Sequence, residues 1–141
     1  MPPLPFPVPT ILLDSIAAAA TLIYFPFLIV AFGRTQVGYS TSAPRAVFDK
    51  LPAFAQRATW AHQNSFETFM GFAAAALTAY VTEIDSTLAG WAAIAFVTAR
   101  FFYSVFYITN IPLGRSLMFG IGTLSTVTLF VLSLSKVHSL L

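Results

Sequence analysis

The sequence predicts an all-α integral membrane protein, built as a four-helix bundle. Of its 141 residues, 57% are hydrophobic and only 9% are charged, whereas soluble proteins average roughly 25% charged residues. Four apolar stretches are each about 20 residues long, the length that crosses a hydrocarbon core of about 30 Å as a helix. A very apolar soluble protein is the alternative, and the length of these stretches argues against it.

The four spans follow one another closely, and we place them at residues 11–33, 58–81, 87–108 and 113–134. Pro26 lies inside the first span and is expected to kink it, because proline lacks the amide hydrogen that continues a helix. Asn110, Pro112 and Gly114 predict a tight turn between the third and fourth spans. Too few residues remain for a separate soluble domain, so residues 1–141 are expected to form one four-span membrane domain.

The charges of the connections predict the orientation in the membrane. The first connection contains Arg34, Arg45, Lys50 and Arg57 against the single acid Asp49, whereas the second connection is acidic. Because basic residues accumulate in cytoplasmic loops, we expect the first and third connections in the cytoplasm and both termini on the other side. No basic region of the secretory kind precedes the first span, and a compact chain without cysteine favours the bacterial cell (inner) membrane.

The composition also restricts the chemistry. The chain has no cysteine and two histidines, so it has no thiolate of its own and little for a metal site, and we predict no metal. The basic residues are dispersed rather than gathered in a patch, so no nucleic-acid partner is expected. Membrane lipid is the expected surrounding.

The second helix carries a polar face at the depth of a membrane span. At about 100° per residue, Arg57, Asn64 and Glu67 share one side of this helix with several small residues, while His62 lies opposite and is interpreted as structural. Polar groups in a span face other helices rather than lipid. Ionisable groups there are costly to bury, which makes them candidates for a functional site.

The other helices add polar groups that the bundle is expected to bring near this face: Arg100, Tyr103 and Tyr107 on the third helix, Arg115 and Ser116 at the start of the fourth, and Arg34 at the end of the first. Four arginines against one deep carboxylate leave a surplus of positive charge. Guanidinium groups bind carboxylates with two parallel hydrogen bonds, so a small polyanionic ligand between the helices is predicted. Arginines that extend to the membrane interface, together with one buried ion pair, are the alternative.

These residues resemble the motif of the MAPEG family, the membrane-associated proteins in eicosanoid and glutathione metabolism. The shared pattern is Arg57-x-x-x-Ala61-His62-x-Asn64-x-x-Glu67, then Ala99–Arg100 followed by Tyr107, and then Arg115–Ser116. The resemblance extends over nearly the whole chain. The chain departs from many members at Trp60, where they have an arginine, and in the absence of a proline soon after Glu67.

The resemblance implies a homotrimer that binds glutathione as co-substrate between adjacent subunits, near the cytoplasmic face. The implied activity is that of a glutathione transferase, a peroxidase or both, as in detoxification, with a lipophilic electrophile as the second substrate. Carried over by position, the glutathione-binding residues are Arg57, Asn64, Glu67 and Tyr107, with Arg100 either pairing with Glu67 or contacting glutathione. Tyr103, on the same face of the third helix as Arg100 and Tyr107, is a further candidate for binding glutathione. The reactive arginines are Arg34 and Arg115, and Ser116 assists at the thiol.

The residues allow two other functions. A catalytically silent binder of glutathione or lipid would keep the same fold and the same site. A small proton-coupled membrane transporter would use Glu67 as its titrating carboxylate. Against the transporter, only one acid lies deep in the spans, and no internal repeat suggests alternating access.

Overall fold

A computed structural model describes residues 1–38 and 40–139 of the chain. Across these two ranges it contains no strand, and the prediction of an all-α fold is confirmed. The four long helices are α1 (Val8–Val37), α2 (Ala53–Val81), α3 (Thr87–Ile108) and α4 (Pro112–His138). A single turn of 3-10 helix, Phe48–Lys50, interrupts the connection between α1 and α2.

Contacts at the two ends of the bundle show that consecutive helices run antiparallel. At one end, the indole nitrogen of Trp91 donates to the carbonyl of Pro2 over 3.1 Å, and the ammonium of Lys136 donates to the carbonyl of Glu83 over 2.7 Å. At the other end, Arg57 Nε donates to the carbonyl of Ile108 over 2.9 Å. The start of the chain and the end of α4 therefore lie at one end of the bundle. The end of α1, the start of α2 and the α3–α4 connection lie at the other end, with Arg34, Arg57 and Arg115.

Three of these helices, α1, α3 and α4, are long and apolar enough to cross a membrane. The α2 helix has 29 residues, about 43 Å at 1.5 Å per residue, and it packs against all three of the others. Its composition is more polar because it carries the face with Arg57, Asn64 and Glu67. A membrane crossing by α2 remains a prediction, which its central place in the bundle supports.

Small residues and one aromatic pair form the core between the helices. The rings of Phe72 and Phe96 stack at 3.7 Å between centroids and are 0% and 1% exposed. Around them α2 and α3 contribute mainly alanines, which are buried. Without a hydrophobic driving force between helices inside a bilayer, such small side chains let helices approach and gain dispersion contacts.

Three of the helices, α1, α2 and α4, are longer than the predicted apolar spans because they continue into the connections or beyond the last span. The α3 helix has the bounds of its predicted span. The α1 helix continues through Pro26, which is buried, and ends with Arg34 in its last turn. The α3–α4 connection is the tight turn that the sequence predicts: Asn110 adopts φ 61°, and Ile111 N donates to the carbonyl of Phe106 over 2.8 Å. This turn places the first residues of α4 directly beside the last turn of α3.

Gly33 marks a close approach of α1 to α2, and it supplies a test of the packing. A Cβ atom at Gly33 would collide with Ala55, whereas a Cβ at Gly120 of α4 would meet no atom within 4 Å. We expect Gly33→Ala to destabilise the protein by about 1–3 kcal/mol through overpacking. Gly120→Ala should be neutral or stabilising by up to about 1 kcal/mol, because alanine is the better helix former.

Unfolding of both variants in a titration with denaturing detergent measures the difference. Equal stability of the two variants would contradict the described crossing of α1 and α2.

Candidate functional site

A chain of side-chain contacts connects α2 with α3 inside the bundle. The Arg100 guanidinium, on α3, donates from one terminal nitrogen to Asn64 Oδ1 over 3.0 Å and lies 3.4 Å from Ser65 Oγ. Asn64 Nδ2 in turn donates to Glu67 Oε2 over 3.4 Å, which is long for a hydrogen bond. The predicted residues Asn64, Glu67 and Arg100 are thus brought together, with Asn64 in the middle.

Aromatic rings continue this chain along α3 toward the end of the bundle where α4 begins. The Arg100 guanidinium carbon lies 4.0 Å from the centre of the Tyr103 ring. The Tyr103 ring lies 5.6 Å from that of Tyr107, and the Arg115 guanidinium carbon lies 4.7 Å from the centre of the Tyr107 ring. Tyr103 is buried and lies between Arg100 and Tyr107, while Tyr107 is half-buried.

A small cleft lies where α2, α3 and α4 meet at this end. It has a volume of about 130 Å³ and contains Arg57, Tyr107 and Arg115 together with the ring of Trp60. The close approach of α3 and α4 depends on Gly114, where a Cβ atom would lie 2.7 Å from the Phe106 ring. Two predicted arginines, one in an early turn of α2 and one in the first turns of α4, therefore face the same small space.

A second cleft, of about 170 Å³, lies deeper along the same side of the bundle and contains Glu67 and Arg100. Its rim carries Thr68, Thr123 and Thr126. Each of these hydroxyls donates to a backbone carbonyl of its own helix, at 2.9, 3.0 and 3.1 Å respectively. Their lone pairs and the Glu67 carboxylate present acceptors to this deeper cleft, which suit a ligand that donates hydrogen bonds. The Arg100 guanidinium, which lines the same cleft, donates to Asn64.

The structure places Arg34 on a different side of α2. Arg34 lines a cavity of about 380 Å³ with Phe27, Arg45, His62 and Gln63, and its guanidinium lies 5.9 Å from the Phe27 ring centre. Within one chain, Arg34 and Arg115 therefore line different cavities. His62 Nδ1 is 2.8 Å from the carbonyl of Ile23, a contact between α2 and α1 of the structural kind that its position on the helix predicts.

The remaining predicted residue, Ser116, is exposed in the first turns of α4. Four polar residues of the site were not predicted as ligands: Ser65, which contacts Arg100, and Thr68, Thr123 and Thr126, which line the deeper cleft. Ser65 is a flanking position on the helical wheel, so only the rotation of α2 against α3 reveals its role. No group of three or more His, Cys, Asp or Glu side chains that could hold a metal ion occurs within residues 1–38 and 40–139.

Comparison with known proteins identifies one family. No curated protein and no solved structure matches the chain significantly. The profile of the MAPEG family matches residues 11–135, which include all four spans and every residue of both clefts. The chain is therefore a member of the MAPEG family.

Proposed function

We propose that this protein is a membrane-bound enzyme in which the thiolate of bound glutathione attacks a lipophilic electrophile. The observation that carries the proposal is the distribution of charge along one side of the bundle. Arg57 and Arg115 face the cleft at the end of the bundle, and Glu67 with its acceptor rim faces the deeper cleft. Glutathione has matching groups, since it carries two carboxylates, one ammonium and a thiol.

The spacing of the two clefts suits a ligand of this size. Arg57 and Glu67 are ten residues apart on α2, or about 15 Å along the helix axis. A tripeptide spans at most about 11 Å when extended, and the long arginine side chains cover the remaining distance. We infer that the ammonium of the γ-glutamyl group binds at Glu67 and the three threonine hydroxyls, while the carboxylates bind the arginines.

Arg115 is the group we assign to activation of the thiol. A thiol has a pKa of about 8.5, and a guanidinium within about 4–6 Å lowers the pKa of an acid by roughly 1–3 pH units. Arg115 lies near the amino-terminal end of α4, where the helix dipole also favours an anion. Ser116, the next residue, is a second donor to the sulfur. The same thiolate serves transferase and peroxidase chemistry, and both belong to the detoxification role that we propose.

The assembly we propose is a homotrimer, for which the exposure of Glu67 is the support. In the single chain the Glu67 carboxylate is exposed on a helix that we place in the membrane, where an uncovered charge is costly. A neighbouring subunit over the clefts would shield it. The same contact would bring Arg34 of one subunit toward the thiol bound beside Arg115 of the next, so that both reactive arginines act on one sulfur.

We infer the orientation of the chain and the kind of membrane that contains it from the sequence. The basic first connection supports a cytoplasmic position for the Arg57–Arg115 end and an external position for both termini. We propose the bacterial inner membrane as the location. The electrophile would reach the thiolate from the bilayer across apolar side chains of α4 that line the deeper cleft, such as Phe119 and Val127.

Substitution of Arg115 tests the activation of the thiol. With glutathione bound to Arg115→Ala, we expect the pKa of the thiol to be higher by roughly 1–3 pH units, because the stabilising guanidinium is gone. The thiolate then appears only at higher pH, and turnover at neutral pH falls by about tenfold or more. Titration of the ultraviolet absorbance of the thiolate in purified protein measures the change.

The control is Lys136→Ala, which removes a cation at the opposite end of the bundle and should leave this titration unchanged. An Arg115→Ala protein with an intact oligomer and unaltered thiolate titration would contradict the assignment.

Binding of N-acetylglutathione, in which the amine is an uncharged amide, tests the ammonium site at Glu67. The wild-type protein should bind glutathione about ten to one hundred times more tightly than this analogue, because a hydrogen bond between charged groups contributes about 1.5–3 kcal/mol. In Glu67→Gln this preference should vanish while affinity for the analogue is retained. Calorimetry on detergent-purified protein measures both ligands.

The outcomes also separate the other two functions. Saturable glutathione binding without turnover of any electrophile or peroxide would indicate the catalytically silent binder. No binding at millimolar glutathione would overturn the proposed glutathione-dependent activity. Proton-coupled transport through Glu67 would then be the function to test.

A further inference from the structure

We propose that Arg100 does not bind the substrate but is a positioning residue, which orients the Glu67 carboxylate through the side-chain amide of Asn64. This inference rests on the proposed function, in which Glu67 binds the ammonium of glutathione. It resolves the two roles that the family resemblance leaves open for Arg100, direct pairing with Glu67 or direct contact with glutathione.

The burial of Arg100 argues against its direct contact with a ligand. Arg100 is 5% exposed, and its Nε is buried and has no hydrogen-bond partner within residues 1–38 and 40–139. One terminal nitrogen is occupied by Asn64 and Ser65, and the Tyr103 ring lies 4.0 Å from the guanidinium carbon. Arg100 also lines the deeper cleft, but it presents far less surface to a ligand there than Glu67, which is exposed.

The amide of Asn64 connects the two charged side chains, because it accepts a hydrogen bond from Arg100 and donates one to Glu67. Its Oδ1 accepts from Arg100 over 3.0 Å, so its Nδ2 must point away from Arg100, and it points toward Glu67 Oε2 at 3.4 Å. Because Arg100 can only donate hydrogen bonds, it selects one of the two orientations of this amide. The selected orientation presents a donor to Glu67, and a flipped amide would present an oxygen that repels the carboxylate.

The length of the Asn64–Glu67 contact fits a carboxylate that also binds a ligand. One oxygen of Glu67 accepts weakly from Asn64, and the other remains available to accept from an ammonium. The positive charge of Arg100, two contacts away, offsets part of the cost of placing Glu67 in a span. Arg100 thus acts on the ligand through Asn64 and Glu67, in a connected network whose members are coupled.

The preference for glutathione over N-acetylglutathione tests this role, since the preference reports the ammonium at Glu67. In Arg100→Met we expect the preference for glutathione to fall from about tenfold or more to about threefold or less. The affinity for N-acetylglutathione should be largely retained. Arg100→Lys keeps a cation and a donor and should recover part of the preference. Lys136→Met, which removes a cation at the opposite end of the bundle, should leave this preference unaltered.

Two results would overturn the inference. If Arg100→Met weakens both ligands equally and leaves the preference intact, Arg100 binds another part of glutathione or only holds the fold. If adding Arg100→Met to Glu67→Gln weakens glutathione binding further, the two residues act independently and are not coupled. Should Arg100→Met fail to fold, Asn64→Leu removes the amide and keeps Arg100, and an undiminished preference in this variant would likewise overturn the inference.

The same experiment separates this inference from the proposed function. If the wild-type protein shows no preference for glutathione, the ammonium site at Glu67 fails, and the role of Arg100 fails with it. If the wild-type preference is present and Glu67→Gln abolishes it, the proposed function stands, and the Arg100 variants then decide the positioning role alone.

Discussion

The guanidinium of Arg100, enclosed between two packed helices, is the constraint on which the rest of the site depends. A buried charge without partners costs several kcal/mol, so its hydrogen bonds must be made inside the bundle. Its acceptors come from Asn64 and Ser65 of α2, which fixes the rotation and height of α2 against α3. That registration turns Glu67 toward α4 and forms the deeper cleft.

The tight turn between α3 and α4 has the complementary effect at the end of the bundle. Asn110 in a left-handed conformation and Gly114 against Phe106 let α4 begin beside the last turn of α3. Arg115 then lies over Tyr107 and shares a cleft with Arg57. These two cations lie near the amino-terminal ends of helices, where the helix dipoles are also positive. Together they favour the binding of anions at this end of the bundle.

The same α2 helix separates the arginines into two groups. Its face toward α3 and α4 carries Arg57, Asn64 and Glu67, while its other side forms a larger cavity with Arg34 and Arg45. Under the proposed function, each chain by itself therefore has only one of the two reactive arginines at the cleft. A symmetric assembly offers a simple completion, because each subunit exposes one cleft with a carboxylate and a separate cavity with arginines, and a ring joins unlike surfaces of neighbours.

Much of this arrangement follows from periodicity along each helix. The 100° step places Arg57, Asn64 and Glu67 on one face of α2, and Arg100, Tyr103 and Tyr107 on one face of α3, because the spacing of side chains around a helix is a local property. The apolar runs likewise predict the all-α membrane fold, and Asn110 and Pro112 predict the turn, since both effects are local as well.

The rotation and shift of one helix against another are not local properties, and the pattern of residues along a single helix does not predict them. Ser65 contacts Arg100, Asn64 stands between Arg100 and Glu67, and Arg34 lines a different cavity from Arg115. Each of these facts depends on how far one helix is rotated and shifted against another. That choice is made by the sum of many small contacts across the bundle, such as the stacked Phe72 and Phe96, which no single helical pattern specifies.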